Sequence, residues 1–152
     1  MAGTEYGCTL SLDTRKLMQR LGIEERGRVQ RVVSEEILRL CGNYVPLSKG
    51  YLKDTGHVEN NSEIVWNGPY AHYMYEGIVY EDPELHCAGF KTENGWRSRK
   101  SSEKRKVPQK VPTERKLKYN EGSRRGAHWV DRMLQNGGRK KVEDAARRAV
   151  EP

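Results

Sequence analysis

Four histidines, His57, His72, His86 and His128, and three cysteines, Cys8, Cys41 and Cys87, are the side chains here with the widest chemical repertoire. Spacing decides whether they hold a metal, move protons or simply pack. There is no HxxxH, HExxH or CxxC pair, and adjacent His86 and Cys87 point apart on any regular element. A zinc site would therefore need ligands from distant segments. An odd, scattered cysteine set also argues against a disulfide framework. Nucleophilic chemistry lacks a scaffold, because GxSxG is missing and neither Ser48 nor Ser62 lies in a recognisable elbow. Neither GxGxxG nor GxxxxGK[ST] is present to cradle a phosphate. The carboxylate pairs Glu24-Glu25, Glu35-Glu36 and Glu81-Asp82 suit helix faces or loops, where they solvate or complement helix charge. The expectation is a chain with no catalytic residues, no metal and no cofactor.

The stretch that gathers most aromatic side chains runs from Trp66 through Asn67-Gly68-Pro69-Tyr70-Ala71-His72-Tyr73-Met74-Tyr75-Glu76 to Gly77. As a short helix or twisted extended segment it would put Tyr70, Tyr73 and Met74 on one face, with His72 and Tyr75 elsewhere. Rings bury much apolar area while their polar tips stay hydrogen-bonded, so packing is the expected role. In that reading Pro69 and Gly77 fix the turns, and Tyr70, Tyr73 and Met74 anchor the body against a long helix.

The elements that must position this stretch can be read in order. Tyr6, Cys8, Leu10 and Leu12 alternate with small polar residues, as in a strand buried on one face. Asp13 is an N-cap candidate for a short helix carrying Leu17, Met18 and Leu21, which Gly22 stops. Between Glu25 and Asn43 the apolar Val29, Val32, Val33, Ile37, Leu40 and Cys41 recur at helical spacing, and Pro46 closes the run. His57 to Asn67 reads as a strand or a hairpin turning at Glu59-Asn60-Asn61-Ser62. Leu117 and Tyr119 alternate with charged neighbours as on an edge strand. Val130, Met133 and Leu134 form a helical stripe, Gly137-Gly138 interrupts it, and Val142, Ala145, Ala146, Ala149 and Val150 mark a last weak amphipathic helix.

At 152 residues the chain predicts one domain, 1–152, with 81–111 as an extended basic insertion and 137–152 as a C-terminal helical extension. Charged residues make up 32% and the formal net charge is +7, with a mean hydropathy of -0.94 and a pI near 9.4. Such a balance favours association with nucleic acid or an acidic protein surface. The cations Arg97, Arg99, Lys100, Lys104, Arg105, Lys106 and Lys110 face the single acid Glu103 between Arg97 and Lys110. That tract suits either a solvated loop or an arm that orders on a partner or a phosphate backbone. No segment is long and apolar enough to span a bilayer, so no membrane partner is expected.

The segment from Asn67 to Gly77, then Pro112-Thr113-Glu114-Arg115-Lys116-Leu117-Lys118-Tyr119, then Gly126-Ala127-His128-Trp129-Val130-Asp131-Arg132-Met133, resembles the minor capsid proteins of tailed phages with long non-contractile tails. That group is similar to the neck and tail-completion proteins, whose proline-glycine-leucine crossing corresponds here to Pro46, Gly50 and Leu52. The resemblance implies an α+β protomer, a long N-terminal helix packed on a small antiparallel sheet, with a long basic loop or arm and a C-terminal helix. It also implies a structural role in the virion, at the neck between capsid and tail, after assembly in the host cytoplasm. Implied partners are further copies in a closed ring of about six or twelve, the portal, adaptor or stopper proteins, the tail terminator or tail tube, and DNA in the channel. Pro69, Tyr70, His72, Tyr73, Gly77, Leu117, Tyr119, Trp129 and Met133 are the expected structural or interface residues. Arg97, Arg99, Lys100, Lys104, Arg105 and Lys106 are the expected contacts to DNA or a partner. The competing reading is a small basic nucleic-acid-binding protein.

Overall fold

The computed structural model describes residues 13–47, 51–68, 70–99, 106–119, 122 and 124–151. α1 (Thr14–Leu21) begins where the Asp13 carboxylate accepts a hydrogen bond from the Lys16 N–H at 3.1 Å, and ends at Gly22 with a left-handed φ of 67°. Both ends follow from local chemistry: a carboxylate satisfies an orphan N–H, and a residue without Cβ takes the reversed turn. α2 (Arg28–Cys41) is the long helix, with Leu40 and Cys41 buried and Ile37 packed beside them. Just beyond its C-terminus the Arg125 guanidinium donates to the carbonyls of Gly42 at 3.1 Å and Val45 at 2.5 Å. A cation thus meets the negative end of the helix dipole.

After α3 (Tyr51–Asp54), β1 (Gly56–Glu59) and β2 (Glu63–Trp66) form a hairpin with His57 opposite Val65. Its turn uses Asn60 and Asn61 at φ 49° and 61°, a conformation asparagine tolerates better than most residues. The Ser34 hydroxyl donates to the Asn61 carbonyl at 3.2 Å and fastens the turn to α2. α4 (Ala71–Glu76) follows, then β3 (Ile78–Glu81), which pairs antiparallel with β6 (Val111–Lys116) through a register shift between Ile78 and Tyr80. Between them, β4 (Phe90–Thr92) and β5 (Gly95–Arg97) form a second hairpin.

α5 (Trp129–Met133) runs into a widened turn, Leu134–Gly138, and then α6 (Arg139–Val150). Gly137 at φ 86° breaks the helix there, and a side chain on Gly138 would collide with the Met133 sulfur. α6 folds back along α2, where Ala145 is buried. The core is Leu40, Cys41, Val45, Trp129 and Met133, with Leu52, Trp66, Met74, Tyr75 and Val142 packed around it.

The fold is α+β. Its long helix is preceded by α1, and its strands form three separate two-stranded sheets among the described residues. The expected strand at Tyr6–Leu12 lies outside the described residues, as does Gly50 of the proline-glycine-leucine crossing.

Candidate functional site

Trp66 to Gly77 is the knot through which the elements meet, although its faces differ from the helical spacing. Trp129 is met edge-on by Trp66 at 5.5 Å between ring centres and by Tyr75 at 4.7 Å. Such T-shaped contacts align the positive ring edge with the negative face and add to area burial. Met74 and Tyr75, rather than Tyr70, Tyr73 and Met74, are therefore the members turned to the core. Tyr73 packs edge-on against Tyr80 of β3 at 4.7 Å, while exposed His72 rests its ring near Tyr73 and Tyr80. Tyr70 is 70% exposed, so it contributes little to the body. Pro69 lies outside the described residues.

Gly77 ends α4 with φ 72°, and its carbonyl accepts from the Leu117 N–H at 2.8 Å. A Cβ at Gly77 would sit 2.5 Å from the Ala127 methyl, so both backbone angle and space demand glycine. Tyr119 donates its hydroxyl to the Met74 carbonyl at 2.6 Å, satisfying the last turn of α4. Its partial burial raises the phenol pKa above the ordinary tyrosine range. Leu117 and Tyr119 thus lie just past β6 and act as its tie to α4, whereas Trp129 and Met133 belong to the core.

Asp82 was not legible as a centre. It is buried, and Arg99 grips it through Nε at 2.6 Å to Oδ2 and through Nη2 to Oδ1, while Nη1 reaches Glu84 at 2.8 Å. The N–H groups of Glu84 and Leu85 also donate to Oδ1, at 2.9 and 3.1 Å. The Arg99 hydrogen bonds, helped by those N–H groups, hold the Asp82 carboxyl down at about 2 against the opposing effect of burial. Lys110 donates to the Ala88 carbonyl at 2.5 Å and to the Ser98 hydroxyl at 2.8 Å. The described part of the basic tract is therefore folded on itself. Arg99 is committed within the chain, Arg97 and Lys106 are exposed, and Lys100, Lys104 and Arg105 lie outside the described residues.

Among the described residues, no group of three or more His, Cys, Asp or Glu side chains could hold a metal ion. Burial lifts the Cys41 thiol to about 12, which makes it an apolar filler at neutral pH. His57 sits against the Thr55 carbonyl at 2.9 Å and Glu59 at 3.0 Å, and both contacts raise its pKa.

A further surface escaped sequence reading because four short segments build it. Pro46, Tyr51, Leu52, Thr55, Gly68, Tyr70, Ala71 and Met74 enclose most of an open apolar groove of about 530 Å³. Tyr51, 75% exposed, stands with Tyr70 on its wall. Its chemistry is that of a docking surface, with almost no polar groups to orient a small substrate.

No helix among the described residues is long and apolar enough to cross a membrane. The sequence model of a family described as minor capsid protein matches residues 9–107, which takes in α1 through β5. Neither a curated protein nor a solved structure gives a significant match to the chain.

Proposed function

The chain belongs to the minor capsid protein family, a family of structural virion proteins, and on that premise we propose that it works at the phage head-tail junction. There it forms a ring that joins the portal or connector to the tail. The observation that carries this reading is the amount of apolar side chain left open on a very polar chain. Leu17, Met18, Ile23, Leu47, Tyr51, Tyr70, Leu85, Phe90 and Val111 are all exposed at a mean hydropathy of -0.94. Of these, Tyr51 and Tyr70 stand together on the open apolar groove, and a gathered apolar surface of this kind suits contact with another protein subunit. Its net charge of +7 suits a position near DNA or an acidic neighbouring ring, with Arg97 and Lys106 as the exposed described contacts from the basic tract.

The test is a phage carrying a stop codon early in this gene. The expected result is filled heads and complete tails that fail to join, restored by adding the purified protein. Normal joining without the protein would overturn the reading. Strongly salt-dependent DNA binding by the isolated chain, together with normal joining, would favour the small nucleic-acid-binding protein instead.

A further inference from the structure

Asparagine followed by glycine is a reactive pair. The backbone nitrogen of the second residue can attack the side-chain amide carbon of the first, and glycine has no Cβ to obstruct the approach. The chain holds three such pairs, Asn67-Gly68, Asn94-Gly95 and Asn136-Gly137. By sequence they are alike, but the fold treats them differently.

Two of the pairs are held. Asn136 donates its side-chain amide to the Arg132 carbonyl at 2.7 Å, in the widened turn between α5 and α6. Gly95 opens β5 in register with Thr92, whose hydroxyl donates to the Gly95 carbonyl at 2.7 Å. Attack at either pair therefore waits for a local opening of the helical turn or the hairpin.

Asn67-Gly68 is not held in this way. It lies between β2 and α4 in no regular element, and Asn67 is exposed. Among the described residues, neither the Asn67 side chain nor the Gly68 N–H has a hydrogen-bond partner. The Gly68 carbonyl is engaged, accepting from the Ala71 N–H at 3.0 Å, but it takes no part in the attack. Attacking nitrogen and amide carbon are thus both unrestrained by hydrogen bonds.

We propose that Asn67 is the principal site of spontaneous deamidation in the folded chain, through a succinimide closed by the Gly68 nitrogen. That nitrogen gives its proton to solvent base and bonds to the Asn67 Cγ. The Cγ–Nδ2 bond breaks, and Nδ2 leaves as ammonia. Water then opens the ring at one of its two carbonyls and leaves aspartate or isoaspartate. Either product puts a negative charge on the wall of the apolar groove, which Asn67 and Gly68 help to line. Isoaspartate also adds a methylene to the backbone between Trp66 of β2 and α4, two of the elements joined at the aromatic knot. The chemistry needs no partner and stands apart from the ring reading.

The test is to incubate the full chain in warm, mildly alkaline buffer and to follow each asparagine by peptide mapping with mass spectrometry. In the folded chain Asn67 should convert at least about tenfold faster than Asn94 and Asn136. In urea the three rates should converge. Raising the pH by one unit should speed conversion at Asn67 about tenfold, as it does the deprotonated fraction of a weakly acidic N–H. Gly68→Ala should slow it on the order of tenfold by crowding the attack. The fold accommodates that change, because Gly68 does not take a left-handed φ and an added Cβ would meet Leu52 Cδ1 only at 3.6 Å. An unchanged far-UV circular dichroism spectrum would show that the variant folds. Conversion of Asn94 or Asn136 ahead of Asn67 in the folded chain overturns the proposal. So does a preference for Asn67 that persists in urea, or an undiminished rate in folded Gly68→Ala.

Discussion

Around Trp129 the chain buries rings and aliphatic side chains contributed by α2, β2, α4 and α6, whereas from Glu81 to Lys110 the one buried residue among those whose burial is described is Asp82. The first region is held by removal of apolar surface from water rather than by ion pairs. In the second, the ends of the excursion are tied by Arg99 on Asp82 and by Lys110 on Ala88 and Ser98. The contrast shows how a polar tract with little to bury can still hold a defined path: a few charge-assisted hydrogen bonds fix its ends while Arg97 and Lys106 remain exposed. It also implies that the tract can loosen without the body unfolding.

The largest effect is expected where apolar burial is densest. Trp129→Ala removes the ring that Trp66 and Tyr75 both meet. It should cost about 3–5 kcal/mol of stability and lower the melting temperature by on the order of 10 °C. Urea denaturation followed by far-UV circular dichroism would measure it. A loss below about 1 kcal/mol would mean that the rings only fill space and do not hold α5 in place.

Next in size is Arg99→Gln, which leaves the Asp82 carboxylate buried without its cation. Hydrogen exchange should accelerate at residues 82–97 while α2 and α6 keep their protection. The pH dependence follows from the depressed Asp82 pKa. Because the folded value is about 2, below the ordinary aspartate value of 3.8, the pair's stabilisation is in place above pH about 4. It is lost as pH falls toward about 2. In the unmodified chain, protection of this tract should decay across that window, and in Arg99→Gln most of the dependence should vanish. Equal exchange in both proteins at pH 7 would refute the assignment of this pair as the tie.

The two regions also differ in how far they could be read from sequence. α1 and α2 were legible because each rests on local signals, such as Asp13 before the first turn, Gly22 after the last, and the repeating valines and leucines of α2. The break at Gly137-Gly138 was legible for the same reason. Helical spacing groups Tyr70, Tyr73 and Met74, but it cannot say which side a body will cover, and the hairpin and α5 together chose Met74 and Tyr75 instead. Asp82 and Arg99 are 17 residues apart with no periodic signal between them, and in the sequence Arg99 is one cation among many. The groove was illegible because Pro46, Leu52, Gly68 and Met74 meet only once the hairpin has folded back.

The smallest effect tests whether the regions are independent. Tyr119 follows β6, the strand on which the tract returns, and its hydroxyl donates to the Met74 carbonyl in the body. Tyr119→Phe keeps the ring and deletes that bond, so the expected loss is about 0.5–1.5 kcal/mol by denaturation. If Tyr119 merely caps α4, its loss should add to that of Arg99→Gln within about 0.5 kcal/mol in the double variant. If instead it transmits the tract's order into the body, the double variant should lose clearly less than the two single losses combined. Additivity would leave the tract as an independently closing unit. A deficit would make Tyr119 the link through which a partner bound at Arg97 or Lys106 could be felt at the aromatic knot.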